Sequence, residues 1–256
     1  MKWIRQRVLN KEIMSGVWLN MGSGAAAEMC GCAGYDWALI DLEHGSGGFD
    51  SLLPQLHAIE TTETAPLVRI RWNETPLFKR VLDVGASGVM VPYVENAEQA
   101  QRAASAMKYP PHGNRGVHGG NRGTKFGDQR DEYYAMANEN LLTIAQIENR
   151  TALDNLEEIA AVDGIDVLFI GPADLSFSLG KPWQLTVPEL EAAFDRVIKV
   201  AHNAGKAAGI LLFDPDQLAP NLERGFTFVA NNSDSTAMDQ NLKKSRARFD
   251  KFKTPS

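Results

Sequence analysis

Cysteine is almost missing from this 256-residue chain, which has two, Cys30 and Cys32. Neither a disulfide framework nor a closed four-cysteine metal cage is therefore available. The two lie in a segment that reads as helix and point to different faces. That argues against a bond between them, and they read as small packing residues of a reducing compartment. No run approaches the roughly 20 apolar residues of a membrane span, and residues 1–7 lack the apolar centre of a signal peptide. The expected location is cytoplasmic. A basic excess is missing too, since 26 Lys and Arg face 32 Asp and Glu, a formal charge of −6. Scattered bases on an acidic chain supply neither the counterion release that drives nucleic-acid binding nor a polybasic face for a membrane. No Ser- or Pro-rich linker and no short repeat divides the chain. What remains is an ordinary globular composition, 44% apolar with 22 Gly and 12 Pro, at a length suited to one (β/α)8 barrel.

The patterning agrees. Short runs of Val, Ile, Leu and Trp alternate with longer helical patterns, as βαβ units require. Eight strands are predicted, at residues 16–21, 37–41, 67–71, 88–92, 142–146, 167–170, 207–212 and 226–230. Most are continuously apolar, as parallel strands covered on both faces should be. Between them, Asn73 reads as the cap of a helix with Leu77, Val81 and Val84 on one face and Gly85 past its end. A second helix runs from Pro188 to about Gly205. Leu153, Leu156 and Ile159 form a stripe over 149–160. The predicted fold is a single-domain α/β (β/α)8 TIM barrel over 1–256. It carries a glycine-rich excursion at 109–141, with Arg115, Arg122 and Lys125 interleaved, and a charged helical tail from about 235 whose apolar residues are Met238, Leu242 and Phe249.

The reactive side chains gather at the carboxyl ends of the predicted strands, which in such a barrel form one mouth. Asp41, Glu43 and His44 end or follow the second strand, Arg69 is near the end of the third, Gln146 and Glu148 end the fifth, and Asp174 follows the sixth. Glu148 and Asp174 suit a hard divalent ion such as Mg2+ or Mn2+, with a helix cap as the simpler use of each. The turn Gly171-Pro172-Ala173-Asp174 permits close backbone approach and offers amides to a carboxylate. A 2-oxo acid seated there could chelate the ion. Histidine is the side chain whose unperturbed charge change falls nearest neutrality, and His44 follows two carboxylates that could orient it, which suits an acid/base. Arg69 suits stabilisation of a developing oxyanion; its simpler use is a salt bridge to Asp41 or Glu43. By its position alone, Asp83 reads as an exposed helix residue.

In its ordered motifs the chain resembles the HpcH/HpaI aldolase family, metal-dependent class II pyruvate aldolases that include 4-hydroxy-2-oxoheptanedioate and 2-dehydro-3-deoxyglucarate aldolases. The matches run from Gly16-Val17-Trp18-Leu19 through Asp41-Leu42-Glu43-His44, Val68-Arg69, Leu82-Asp83-Val84-Gly85-Ala86, Val91-Pro92, Tyr109-Pro110-Pro111 and Gln146-Ile147-Glu148 to Gly171-Pro172-Ala173-Asp174-Leu175. The resemblance implies a barrel often assembled as a homohexamer, a trimer of dimers with the last helix exchanged between subunits. It implies binding of Mg2+, Mn2+ or Co2+ by Glu148 and Asp174, and a pyruvate carboxylate held around Gly171, Pro172, Ala173 and Asp174. It also implies an enolate stabilised by Arg69, proton transfer by His44, support of that histidine by Asp83 from across a subunit boundary, and Gln146 near the pyruvate oxygen. Asp41 joins the catalytic set and Leu211 the substrate-binding set.

The expected function is divalent-metal-dependent, reversible cleavage of a 4-hydroxy-2-oxo acid to pyruvate or hydroxypyruvate and an aldehyde. The partners are then small molecules, with no nucleic acid and no membrane. The groups that read the aldehyde are expected on the excursion, on residues 45–49 and on a neighbouring subunit's tail. Two alternatives stand beside this reading: a citrate lyase β-like lyase acting on an acyl-CoA, and a non-catalytic barrel that binds carboxylates.

Overall fold

The structure, a computed structural model, describes residues 1–252. Eight strands pair in sequence order into a closed barrel: β1 (Met14–Leu19), β2 (Trp37–Asp41), β3 (Ala65–Arg69), β4 (Gly88–Val91), β5 (Leu142–Ile147), β6 (Val167–Ile170), β7 (Ala207–Leu211) and β8 (Phe228–Ser233). All neighbours are parallel, and β8 returns to β1. Both faces of the strands are covered, which is why the sequence shows them as unbroken apolar runs. The bounds move where pairing sets them. β1 and β3 begin two residues before their predicted starts, and β8 continues to Ser233.

The lumen is filled by a core of its own. Trp37 and Phe228 stack at 4.2 Å between ring centroids, with Trp18 and Phe169 packed edgewise or tilted around them. Small residues opposite make the room. A Cβ on Gly16 would lie 2.1 Å from the Trp37 ring, and one on Gly209 would lie 2.5 Å from Phe169. A short helix ahead of β1, Arg5–Leu9, was not anticipated. It adds Ile4 and Val8 to the lumen core and stoppers the amino-terminal end. A second core lies between the strands and the outer helices.

Several local expectations change. Asn73 does not cap the helix Thr75–Asp83; Glu74 holds the cap position, Pro76 starts the first turn, and the Asn73 amide donates to the Gln99 carbonyl. The helix Pro188–Asn203 forms as predicted. The stripe at 149–160 breaks into Arg150–Asp154 and Leu156–Ala160, because the Asn155 amide donates to the Glu95 carbonyl at the break. Cys30 is half-buried and Cys32 exposed, both unbonded, so Cys32 is not a packing residue.

The excursion is more ordered than its composition suggests, with a 3-10 segment at Arg122–Gly127 and a helix at Arg130–Asn140. It joins the helix Ala97–Met107 to the start of β5 and so lies at the amino-terminal end, opposite the mouth. Arg122 donates to the Val84 carbonyl there, and Arg122 and Lys125 pair with Glu60. Within one chain, therefore, the excursion cannot read a substrate at the mouth. The tail forms the helix Asp234–Ala247; Met238, Leu242 and Phe249 stay exposed rather than packing on their own barrel. Among the described residues no helix is long and apolar enough to cross a membrane.

Candidate active site

Asp41 and Arg69 are register partners at the ends of β2 and β3, so their side chains leave the sheet together. Arg69 donates to Asp41 through Nε at 2.9 Å and Nη2 at 2.7 Å, and its Nη1 lies 2.9 Å from Glu43 Oε2. Asp41 Oδ1 also accepts from the backbone amides of Glu43 and His44. One buried carboxylate thus fixes both the guanidinium and the loop that bears the histidine. Burial pushes the Asp41 carboxyl up, but the Arg69 hydrogen bonds and charge, aided by the two amides, outweigh it and hold Asp41 below the usual carboxylate range. Trp18 packs against Arg69, 5.2 Å from ring centroid to guanidinium carbon.

From Arg69 the polar chain continues across the floor. Nη1 approaches Gln146 Oε1 at 3.5 Å, and Gln146 Nε2 donates to Glu148 Oε2 at 2.9 Å. The second oxygen, Glu148 Oε1, accepts from the Tyr93 amide at 2.7 Å. Tyr93 has φ 49, left-handed backbone that a non-glycine residue rarely takes; a two-residue step past β4 turns its amide inward this way. Glu148 is almost wholly buried. Burial, reinforced by the nearby charges of Glu43 and Asp174 and opposed by the Tyr93 amide, pushes its carboxyl up to about 8. It does not cap the following helix, because the Asn149 side chain does so by accepting from the Ala152 amide.

Gly171 follows β6 and passes tightly over this floor. A Cβ there would lie 2.7 Å from Glu148 Oε2. The helix Pro172–Ser178 begins at once, placing Ala173 and Asp174 in its first turn, where amides have no intrahelical acceptor. Asp174 is partly exposed, and its carboxylate makes no hydrogen bond or salt bridge among the described residues.

Most of the predicted set meets in one place. Asp41, His44, Arg69, Gln146, Gly171, Pro172, Ala173, Asp174 and Leu211 all line a mouth cavity of about 510 Å³, with Glu148 directly beneath. His44 is exposed there, and no hydrogen bond of the described residues reaches its imidazole; Asp41 orients its backbone, not its ring. Asp83 is not brought to this mouth. It ends the helix Thr75–Asp83, five residues before β4 starts, so it sits at the opposite end of the barrel, paired at 2.7 Å with the buried Arg115. Sequence reasoning missed the Tyr93 amide, Trp18 over Arg69, and Trp183 and Phe213 on the cavity wall. Only Trp18 had a signal, the parity that turns it into the lumen.

A closed parallel barrel with a clamped arginine, an exposed histidine and several acids at its carboxyl end is a (β/α)8 enzyme built to handle a small oxyanion. Comparison with known proteins narrows this. The sequence model of the HpcH/HpaI aldolase/citrate lyase family matches residues 14–240. The chain is 41% identical over 243 residues to the 2-keto-3-deoxy-L-rhamnonate aldolase of Escherichia coli strain K12, covering 93% of this chain and 91% of that protein. Among solved structures, an HpcH/HpaI aldolase/citrate lyase family protein from Burkholderia cenocepacia J2315 superposes with a TM-score of 0.89 at 37% identity, covering 95% of this chain and 98% of that one. An HpcH/HpaI aldolase from Desulfitobacterium hafniense DCB-2 gives 0.90 at 26% identity, covering 100% and 99%. The chain belongs to the HpcH/HpaI aldolase/citrate lyase family and is a carbon–carbon lyase.

Proposed function

We propose that the enzyme is a divalent-metal-dependent aldolase that reversibly cleaves a 4-hydroxy-2-oxo acid into pyruvate, or hydroxypyruvate, and an aldehyde. The observation that carries this reading is the Asp41–Arg69–Gln146–Glu148 chain on the cavity floor. The Escherichia coli relative, named for a 2-keto-3-deoxy acid of this kind, supports the same substrate class.

The residues present fit a hard cation. Asp41 and Glu43 pair with the single guanidinium of Arg69, and Glu148, buried near the charges of Glu43 and Asp174, holds its proton. Among the described residues no group of three His, Cys, Asp or Glu forms a metal cage. Two carboxylates, Glu148 and Asp174, would hold the ion, with water and substrate filling its other positions. When bound, Mg2+, Mn2+ or Co2+ supplies Lewis-acid polarisation of the 2-oxo group.

The chain does the rest. The backbone at Gly171, Pro172, Ala173 and Asp174 receives the 2-oxo acid's carboxylate, and the missing Cβ of Gly171 keeps that turn against Glu148. Arg69, held at a fixed angle by Asp41, stabilises the enolate oxygen that develops as the C3–C4 bond breaks. Gln146 hydrogen-bonds beside it. His44 takes the C4 hydroxyl proton as the aldehyde departs, and Leu211 closes the wall. Asp83 lies at the far end of its own barrel, so its support of a histidine would be given to a neighbouring subunit. The exposed Met238, Leu242 and Phe249 favour a homo-oligomer with an exchanged last helix.

The test combines exhaustive chelation with Glu148→Ala, following cleavage of a 4-hydroxy-2-oxo acid. Both treatments should abolish turnover, and restored divalent ion should rescue only the wild type. Activity surviving both would overturn the mechanism. Turnover of an acyl-CoA thioester, with none of a 4-hydroxy-2-oxo acid, would overturn the substrate class.

A further inference from the structure

Three aromatic side chains at the mouth take no part in the chemistry above. Phe177, Trp183 and Phe213 are 54%, 63% and 49% exposed. They arise from different segments: the helix after β6, the loop following that helix, and the loop after β7. They nevertheless meet. Phe177 and Trp183 pack edge-on at 6.0 Å and 86°, and Trp183 and Phe213 at 6.0 Å and 74°. Trp183 and Phe213 line the same cavity as Asp174 and Arg69, continuing an apolar wall formed by Leu211, Leu212 and Pro215.

The backbone that bears the indole is held in an unusual conformation. Trp183 has φ 59, a conformation that bulky residues seldom adopt and that persists only where surrounding contacts impose it. One such contact is visible. The Trp183 amide donates to Ser176 Oγ at 3.1 Å, and that hydroxyl donates to the Ala173 carbonyl at 2.6 Å. Ala173 precedes Asp174, so the backbone of Trp183 is tied to the turn proposed to receive the 2-oxo acid. Pyruvate, with six non-hydrogen atoms, fills a small part of a 510 Å³ cavity. The remaining space borders this wall. Among the described residues the cavity's Lys and Arg lining reduces to Arg69, already paired with Asp41 and Glu43, so the outer space offers stacking area rather than a second anion site.

We propose that Trp183, backed by Phe177 and Phe213, is a specificity-determining face that stacks on the apolar carbon chain of the aldehyde, beyond the atoms that react. This rests on the aldolase reading above and adds to it the class of aldehyde favoured, one with an extended apolar chain.

The experiment measures aldol addition of pyruvate to hexanal and to glycolaldehyde by the full-length enzyme with Mn2+, alongside exchange of pyruvate methyl protons in D2O. Trp183→Ala should lower kcat/KM for hexanal about tenfold, chiefly through KM, and that for glycolaldehyde by less than about twofold. Proton exchange should be unchanged, because the proposed role of the indole is to contact the aldehyde and not pyruvate. Trp183→Phe should recover most of the loss, and Phe213→Ala, on a separate loop, should show a smaller loss of the same selectivity. Equal losses on both aldehydes would overturn the proposal, as would no loss on either with exchange intact. A change in oligomeric state of Trp183→Ala with selectivity unchanged would also overturn it and make the trio a subunit contact. A wild-type enzyme showing neither exchange nor addition would instead overturn the aldolase reading itself.

Discussion

Arg69 is buried and carries its charge through three oxygens, two from Asp41 and one from Glu43. Removing one partner of a buried pair leaves the other uncompensated, typically at about 3–5 kcal/mol. Asp41→Asn should therefore cost about that much in denaturant unfolding and should also reduce turnover, since the guanidinium and the His44 loop lose their common anchor. An unchanged unfolding midpoint would show that Glu43 alone suffices. Glu148 gives a pH prediction. Its folded carboxyl titrates near 8 against an ordinary value of 4.5, so the native state holds a proton that the unfolded state has released between those values. Stability of the metal-free enzyme is then fully supported below about pH 4.5 and falls as pH rises through about 8. Glu148→Gln should flatten that decline, which thermal melts from pH 5 to 9 will read. At this scale the sequence carried the residue types and the option of an Arg69 salt bridge to Asp41 or Glu43. It could not carry Tyr93 or Trp183, because positive φ in a non-glycine residue leaves no mark in composition or spacing.

Among the elements, the strands were legible and their ends less so. An apolar run covered on both faces announces a buried strand, while its limits depend on the neighbour's register, which moved β1 and β3 by two residues. Helix breaks were harder, since Asn155 interrupts its stripe through a distant carbonyl on Glu95. Small residues inside strands carry a further consequence. Gly16→Ala would drive a Cβ into the Trp37 ring at 2.1 Å, and overpacking of this kind costs about 1–3 kcal/mol. Gly120, with open space around its Cβ position, is the control, and Gly120→Ala should leave the melting temperature nearly unchanged. Equal effects at both sites would mean that the lumen relaxes freely.

For the whole molecule, a net charge of −6 must coexist with a proposed anionic substrate. Bulk attraction cannot recruit it, so affinity falls to Arg69, the amides near Gly171 and a bound cation. Pyruvate affinity should thus collapse on metal removal yet change little between about 50 and 200 mM salt, where screening weakens only long-range terms. A steep salt dependence in a titration at fixed metal would contradict this. The sequence by itself determined the barrel and most of its mouth, because strand periodicity is local and parallel closure forces every strand end to one side. Only the tertiary structure decided which end each connection occupies and which charges meet. It carried the glycine-rich excursion and Asp83 to the face opposite the site, and assembled the aromatic wall from segments distant in the chain. Those are consequences of chain direction through the barrel and of register between strands, which no local pattern encodes.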